Sequence, residues 1–315
     1  MGYQWSFNAE TGAFKNHALS RDLYVAAVED SKFMDFVDPI ESFGSKMGQS
    51  VLLTRIRRLT EPTSASLVEG VRIPEDDYAM ATTSITVTEI GRAVPYTSLA
   101  EDLTWYDLEN SIQGLLRDQL RLVLDTKAGD AFQSTQLKYD ITGVTTGTLT
   151  TSGAFTNTST ANLNVFHVEE IADLMYGTYF VEGRDNGDYI CVTNTLGIRG
   201  LKRDPDWEEW HKYTDPSAKY NGEVGRIEGV RFIKTNHTAT LANRGTSSVL
   251  GEAVFFGKDA VAMAEVLTPE LRAAMPDDFG RSKSAAWYGI LEFGLCWGTS
   301  VNAGEAKVIH VGSLT

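Results

Sequence analysis

The sequence predicts an α+β fold, with strands and helices too irregularly ordered for a doubly wound parallel sheet. Three observations lead there. Residues 51–59 and 83–91 both alternate with a period of two and flank a long irregular stretch. A single helical period runs from Leu108 to Phe132. Beyond it, short apolar runs and short helical runs follow one another without a fixed repeat.

Residues 1–48 read as an irregular arm carrying one short helix, Arg21–Glu29, with Ser20 as its cap. Trp5, Phe7, Phe14, Phe33, Phe36 and Phe43 are aromatic anchors for laying such an arm along another surface. In the next segment VLLTRIRRL (51–59) and TSITVTEIG (83–91) form the sides of a long antiparallel hairpin. Ile85 and Val87 share one of its faces, and Pro62, Gly70, Pro74 and Glu75–Asp77 lie in its irregular tip. A two-stranded ribbon is marginal in water, so this one requires a partner surface.

The helical period after Thr104 brings Leu108, Ile112, Leu115, Leu116, Leu120, Val123, Leu124, Ala131 and Phe132 to one stripe, with Thr104 to Asp107 read as its capping box. Residues 141–162, rich in Thr, Gly and Ser, read as a loop or as short edge strands. A second helix is expected at Val165–Val181, a buried strand at Asp188–Asn194 and a helix from Thr195 to Lys202. Residues 204–220 are Trp-rich and acidic. Strands are then expected at Gly225–Lys234 and Val249–Phe256, a short helix at Lys258–Glu265, and two closing strands at Ala286–Thr299 and Ala306–Val311.

Composition narrows the function. The chain of 315 residues carries a formal charge of −14, and its one dense basic patch is Arg55, Arg57 and Arg58. That balance argues against gripping nucleic acid, which needs a clustered basic face. The three arginines read instead as ion-pair donors to an acidic partner surface. The first twelve residues hold no basic-then-apolar run, so a secretory signal is not expected, and no apolar stretch is long enough to span a bilayer. Cys191 and Cys296 sit in apolar runs and read as buried free thiols of a reducing cytoplasm.

Catalytic signatures are missing: no GxGxxG or Walker loop, no GxSxG, no HExxH, no CxxC. His17, His167, His211, His237 and His310 are scattered. The acidic groups at 75–77, 204–209 and 277–278 lack the alternating pattern of a calcium loop and read as solvated carboxylates. No catalytic, metal or cofactor residue is therefore assigned.

The order of parts is more specific than any motif. Arm, long hairpin, long helix, compact α+β region and closing strands, in that order, resemble the major capsid proteins of tailed bacteriophages with the Hong Kong 97-type fold. The branch it looks most similar to is that of N-four-type podophages. The matching segments are Leu67-Val-Glu69-Gly70-Val-Arg-Ile-Pro74 in the hairpin tip, Gly91–Thr97 on its return, Tyr189–Leu201 followed by Asp204-Pro-Asp-Trp207, and Gly225–Asn236.

This resemblance implies an N-terminal arm (1–48), an extended loop (49–94), a peripheral domain with a spine helix (95–161), an axial domain (162–285) and closing strands returning to the peripheral domain (286–315). It implies a subunit that forms hexamers and pentamers of an icosahedral shell around double-stranded DNA, made in the host bacterial cytoplasm and resident in the virion. Its expected partners are other copies of itself, a scaffolding protein, a portal protein and a decoration or cement protein, with no membrane. The expected intersubunit contacts are Arg55, Arg57, Arg58, Glu69, Arg72, Glu75, Asp76 and Asp77. Some members of the fold cross-link a lysine of the extended loop, but no lysine occurs here between Lys46 and Lys127, so a non-covalent clasp is expected. The alternatives are an encapsulin-type nanocompartment shell and, from another class, an acidic soluble hydrolase.

Overall fold

The computed structural model describes residues 28–40, 43–59, 61–62, 64–104, 106–156, 159–213, 223–241, 251–275 and 277–314. The helix read at Arg21–Glu29 and the anchors Trp5, Phe7 and Phe14 fall mostly or wholly outside these residues. Phe33 and Phe36 lie within them and are buried, 5.4 Å from the rings of Phe132 and Phe256 respectively.

Two sheets and one long helix organise the chain. The helix, α2 (Leu108–Gln133), follows a short helix α1 (Ser98–Leu103) that periodicity did not separate. The capping expected at Thr104 is corrected accordingly. Thr104 closes α1, its N–H returning to Ala100 O, whereas Asp107 caps α2 by accepting the Asn110 N–H at 3.0 Å.

The four-stranded sheet runs β1 (Asp38–Pro39), β11 (Val261–Ala273), β12 (Ser282–Leu295), β4 (Thr88–Thr97). The seven-stranded sheet runs β6 (Thr146–Thr150), β5 (Lys138–Gly143), β13 (Val308–Ser313), β10 (Gly251–Phe256), β7 (Tyr189–Thr193), β9 (Val230–Lys234), β8 (Glu223–Ile227). Its β7 is buried at every residue, as its continuous apolar run requires for a strand covered on both faces. The helix expected at Lys258–Glu265 does not form. Asp259 turns the chain at φ 53°, and β11 begins at Val261 because it finds ladder partners on β12 from Val261↔Leu295 to Ala273↔Ala285, with irregularities between Glu265 and Glu270. Local sequence there suits either state, and the long antiparallel partner decides it.

The two closing strands part company. β12 joins the four-stranded sheet, while β13 sits between β10 and β5 in the other. Strand pairing thus divides the chain differently from the boundaries at 161 and 285, since β5 and β6 belong with the seven-stranded sheet and β11 with the four-stranded one.

Three helices follow the first half of that larger sheet: α3 (Val165–Asp173), continued by one wider turn to Thr178, α4 (Gly197–Lys202) and α5 (Pro205–Tyr213). Side chains of α3, α4 and α5 fill one core with Cys191, Phe232, Phe255 and Ile309 of the seven-stranded sheet. The C-terminal half of α2 is wedged between the two sheets, where Ala128 and Phe132 meet Val192 and Phe256 from one and Leu291 and Phe293 from the other. Its N-terminal half lies on the four-stranded sheet, with Ile112 and Leu116 against Trp287. Because one 26-residue helix serves both cores, it is a rigid rod between them.

Candidate functional site: the projecting hairpin

β2 (Ser50–Ile56) and β3 (Met80–Thr86) form a separate two-stranded sheet, in register from Ser50↔Thr86 to Ile56↔Met80. The return side expected over 83–91 is broken at Val87, after which β4 leaves the ribbon for the four-stranded sheet. Entry is through a turn with two left-handed residues, Lys46 (φ 69°) and Gly48 (φ 105°). The ribbon therefore hangs on the body at two narrow joints.

The two faces of the ribbon differ. Val51, Leu53, Ile85 and Val87 point inward and pack with Ala262, Ala264 and Ile290, so the root has a core of its own. The shared face read for Ile85 and Val87 is this buried one, and the ribbon is less self-insufficient than the sequence suggested. The outer face is uncovered: Ser50, Thr54, Thr82, Ser84 and Thr86 alternate there with three apolar side chains, Leu52 (62 % exposed), Ile56 (60 %) and Met80 beside Ile56.

Beyond Ile56 the hairpin is irregular and exposed, and Leu67, Val68, Val71, Ile73 and Tyr78 are each at least 62 % accessible. At its end Val71 N–H returns to Val68 O (3.2 Å) around Gly70, whose φ of 80° is the left-handed geometry that glycine supplies freely. Arg72 pairs with Glu75, while Glu69, Asp76 and Asp77 are exposed without a partner among the described residues.

The three stem arginines meet their own chain. Arg57 Nε lies 3.2 Å from Glu305 Oε1, the Arg58 guanidinium stands 4.7 Å over the Phe180 ring, and Arg55 stands 4.9 Å over the Trp297 ring. Arg55 Nη2 donates to Thr83 Oγ1, but its Nε and Nη1 are buried without a hydrogen-bond partner. Burial lowers the affinity of that guanidinium for its proton, and Glu305 opposes the shift. The sequence sent these charges to a neighbour. It held no signal for Trp297, Phe180 or Glu305, which lie more than a hundred residues away.

The remaining polar clusters serve the fold. His237 Nδ1 is 2.7 Å from Asp125 Oδ2, both buried, and the other carboxylate oxygen accepts the N–H groups of Phe33 (2.7 Å) and Met34 (3.2 Å). That pair fastens the 28–40 segment to α2. His167 Nε2 reaches Gly143 O at 2.9 Å, and Asp204 accepts the Val165 N–H at the start of α3. An open cleft of about 390 Å³ lined by Glu169, Glu170 and Asp173 exists, but Glu170 is engaged by the Tyr139 hydroxyl. Among the described residues no group of His, Cys, Asp or Glu could hold a metal ion, and no helix is long and apolar enough to cross a membrane. Both cysteines are free; burial pushes the Cys296 thiol up to about 12 and the Cys191 thiol well above its ordinary range.

No protein-family model matches the sequence, and no curated protein does. Solved structures do match, over almost the full length of both chains. The acid-stable capsid structure of Helicobacter pylori bacteriophage KHP30 is similar with a TM-score of 0.71 at 14% identity, covering 99% of this chain and 99% of that one. The capsid of Ralstonia phage GP4 gives 0.66 at 16% identity, covering 99% and 98%. The capsid of the cyanophage P-SCSP1u gives 0.66 at 12% identity, covering 95% and 93%. The chain has the Hong Kong 97-type capsid fold, as its order of parts led one to expect.

Proposed function

We propose that this chain is the major capsid subunit of a tailed bacteriophage, a structural protein and not an enzyme, which assembles into hexamers and pentamers of an icosahedral shell around double-stranded DNA. The observation that carries the reading is the hairpin. It is an ordered ribbon on a capsid fold whose outer face and tip expose apolar side chains that water does not favour. Covering about nine such side chains, each roughly 60 % exposed, is worth on the order of 10 kcal/mol per hairpin before the cost of association. A neighbouring copy supplies that cover in a heterologous, ring-closing contact.

Within the clasp, Glu69, Asp76 and Asp77 and the exposed Arg72–Glu75 pair are the charges that meet the neighbour, while Arg55, Arg57 and Arg58 also have contacts at the stem. With no lysine between Lys46 and Lys127, the clasp holds without a covalent lock. We assign the four-stranded sheet with α2 to the peripheral domain and the seven-stranded sheet to the axial domain. Kinship with the N-four-type podophage branch rests on Leu67–Pro74 and Gly91–Thr97. A separate scaffolding protein, a portal and a decoration or cement protein complete the partners, and the subunit is made in the bacterial cytoplasm before joining the virion.

Deletion of residues 60–80 tests this. Among the described residues it removes only exposed positions and the last rung of the ribbon, leaving Arg55↔Ala81 closed by Ile56–Leu59 as a loop. The expected product is a soluble, folded subunit that forms no shells by negative-stain microscopy. Normal capsids from this variant would refute the reading.

A further inference from the structure

The three stem arginines grip a second feature, built from the 296–305 loop between β12 and β13 and from Phe180, two residues past the end of the helix that begins with α3. Trp297 lies under Arg55, Glu305 beside Arg57 and Phe180 under Arg58. Glu305 is buried and fixed from its other side by Ser300 Oγ and by Asn302 Nδ2 (3.2 Å). The two halves of the feature are tied together, since the Gly304 N–H donates to Tyr179 O at 2.8 Å. Gly298, at φ 58°, lets the ribbon lie flat on the turn, because a Cβ there would stand 2.9 Å from Thr83 Oγ1.

Geometry makes these contacts a control on direction. The ribbon is joined to the body at the 46–49 turn and at Val87, and its root is braced on the inner face alone. Arg57 stands seven residues beyond Ser50, roughly 23 Å out along a strand. The turn at Gly70 can lie at most roughly 60 Å from the root, so a pivot of ~10° at the joints would displace it by ~10 Å. A charge pair with one buried partner and two cation–π contacts are suited to suppressing such a pivot.

We propose that Trp297, Glu305 and Phe180 are positioning residues that aim the hairpin. By holding Arg55, Arg57 and Arg58 they set the angle at which it reaches the next subunit, and through that angle the curvature of the shell. The link to curvature rests on the capsid reading; the aiming itself does not.

Two readouts separate them. Spin labels at S66C and V144C, both exposed sites, report the distance from hairpin tip to body in the unassembled subunit by electron–electron double resonance, in a C296A background because Cys296 is only half-buried, while the buried Cys191 stays unlabelled. The native bracket should give one narrow distribution, and R57A and E305Q should each widen it about two-fold. Shells assembled from the unlabelled variants should vary in diameter where native shells are uniform. R57A alters a half-exposed side chain, so its folding is not in question. Unchanged distance distributions in both variants would overturn the proposal, and widened distributions with uniform shells would overturn the link to curvature. If the native chain itself formed no shells, the capsid reading would fall while the distances still decided the aiming.

Discussion

Asp125 offers the sharpest test of how the N-terminal segment is held. Its carboxylate is wholly buried and satisfies three donors from distant parts of the chain: the N–H groups of Phe33 and Met34, and Nδ1 of His237. D125A strands all three. An unsatisfied buried group costs about 1–3 kcal/mol, and the partly buried Met34 bond counts at the low end, which places the loss at about 4 kcal/mol. D125N keeps an oxygen for the two backbone donors, and its amide can donate to Nδ1 of the other imidazole tautomer, so about 1–2 kcal/mol is expected. Urea unfolding followed by tryptophan fluorescence gives the difference, and amide exchange should quicken at Phe33 and Met34 in D125A. A loss below about 1 kcal/mol in D125A, or an equal loss in both variants, would refute this account.

Two further outcomes follow from local geometry. D107A should destabilise the subunit by about 1 kcal/mol, as loss of a helix cap does, and T104A by less, because Asp107 and not Thr104 holds the first turn of α2; reversal of that order in urea unfolding would restore the capping box. Burial lowers the proton affinity of His167 below its ordinary value, with the carbonyls of Gly143 and Thr146 opposing. The unfolded chain then binds the extra proton first, so this contribution to stability is complete above pH ~6.5 and is lost as pH falls below it. Unfolding free energies at pH 8 and pH 5 should differ less in H167Q than in the native chain, and equal differences would remove His167 from the account.

Much of the fold was legible in the sequence because its elements announce themselves locally. The helical period from Leu108 to Phe132 marks one long helix, although Leu115 stays exposed and the C-terminal half is covered from two sides, and the run Tyr189–Thr193 marks a strand covered on both sides. The alternation in 51–59 and 83–91, with no helical stripe competing, gave the ribbon and the buried face of Ile85 and Val87. The absence of lysine from the loop was likewise a fact of sequence.

Tertiary structure decided what depends on partners far along the chain. Residues 258–265 could have been helix or strand, and the ladder offered by β12 chose strand. β12 and β13 read alike but serve different sheets. The stem arginines are the clearest case. Their charge and spacing were plain, yet the contacts they make within the subunit turned on Phe180, Trp297 and Glu305, which no local period connects to them. Periodicity reports which face of an element is buried, whereas the identity of what buries it is fixed only when the chain closes on itself.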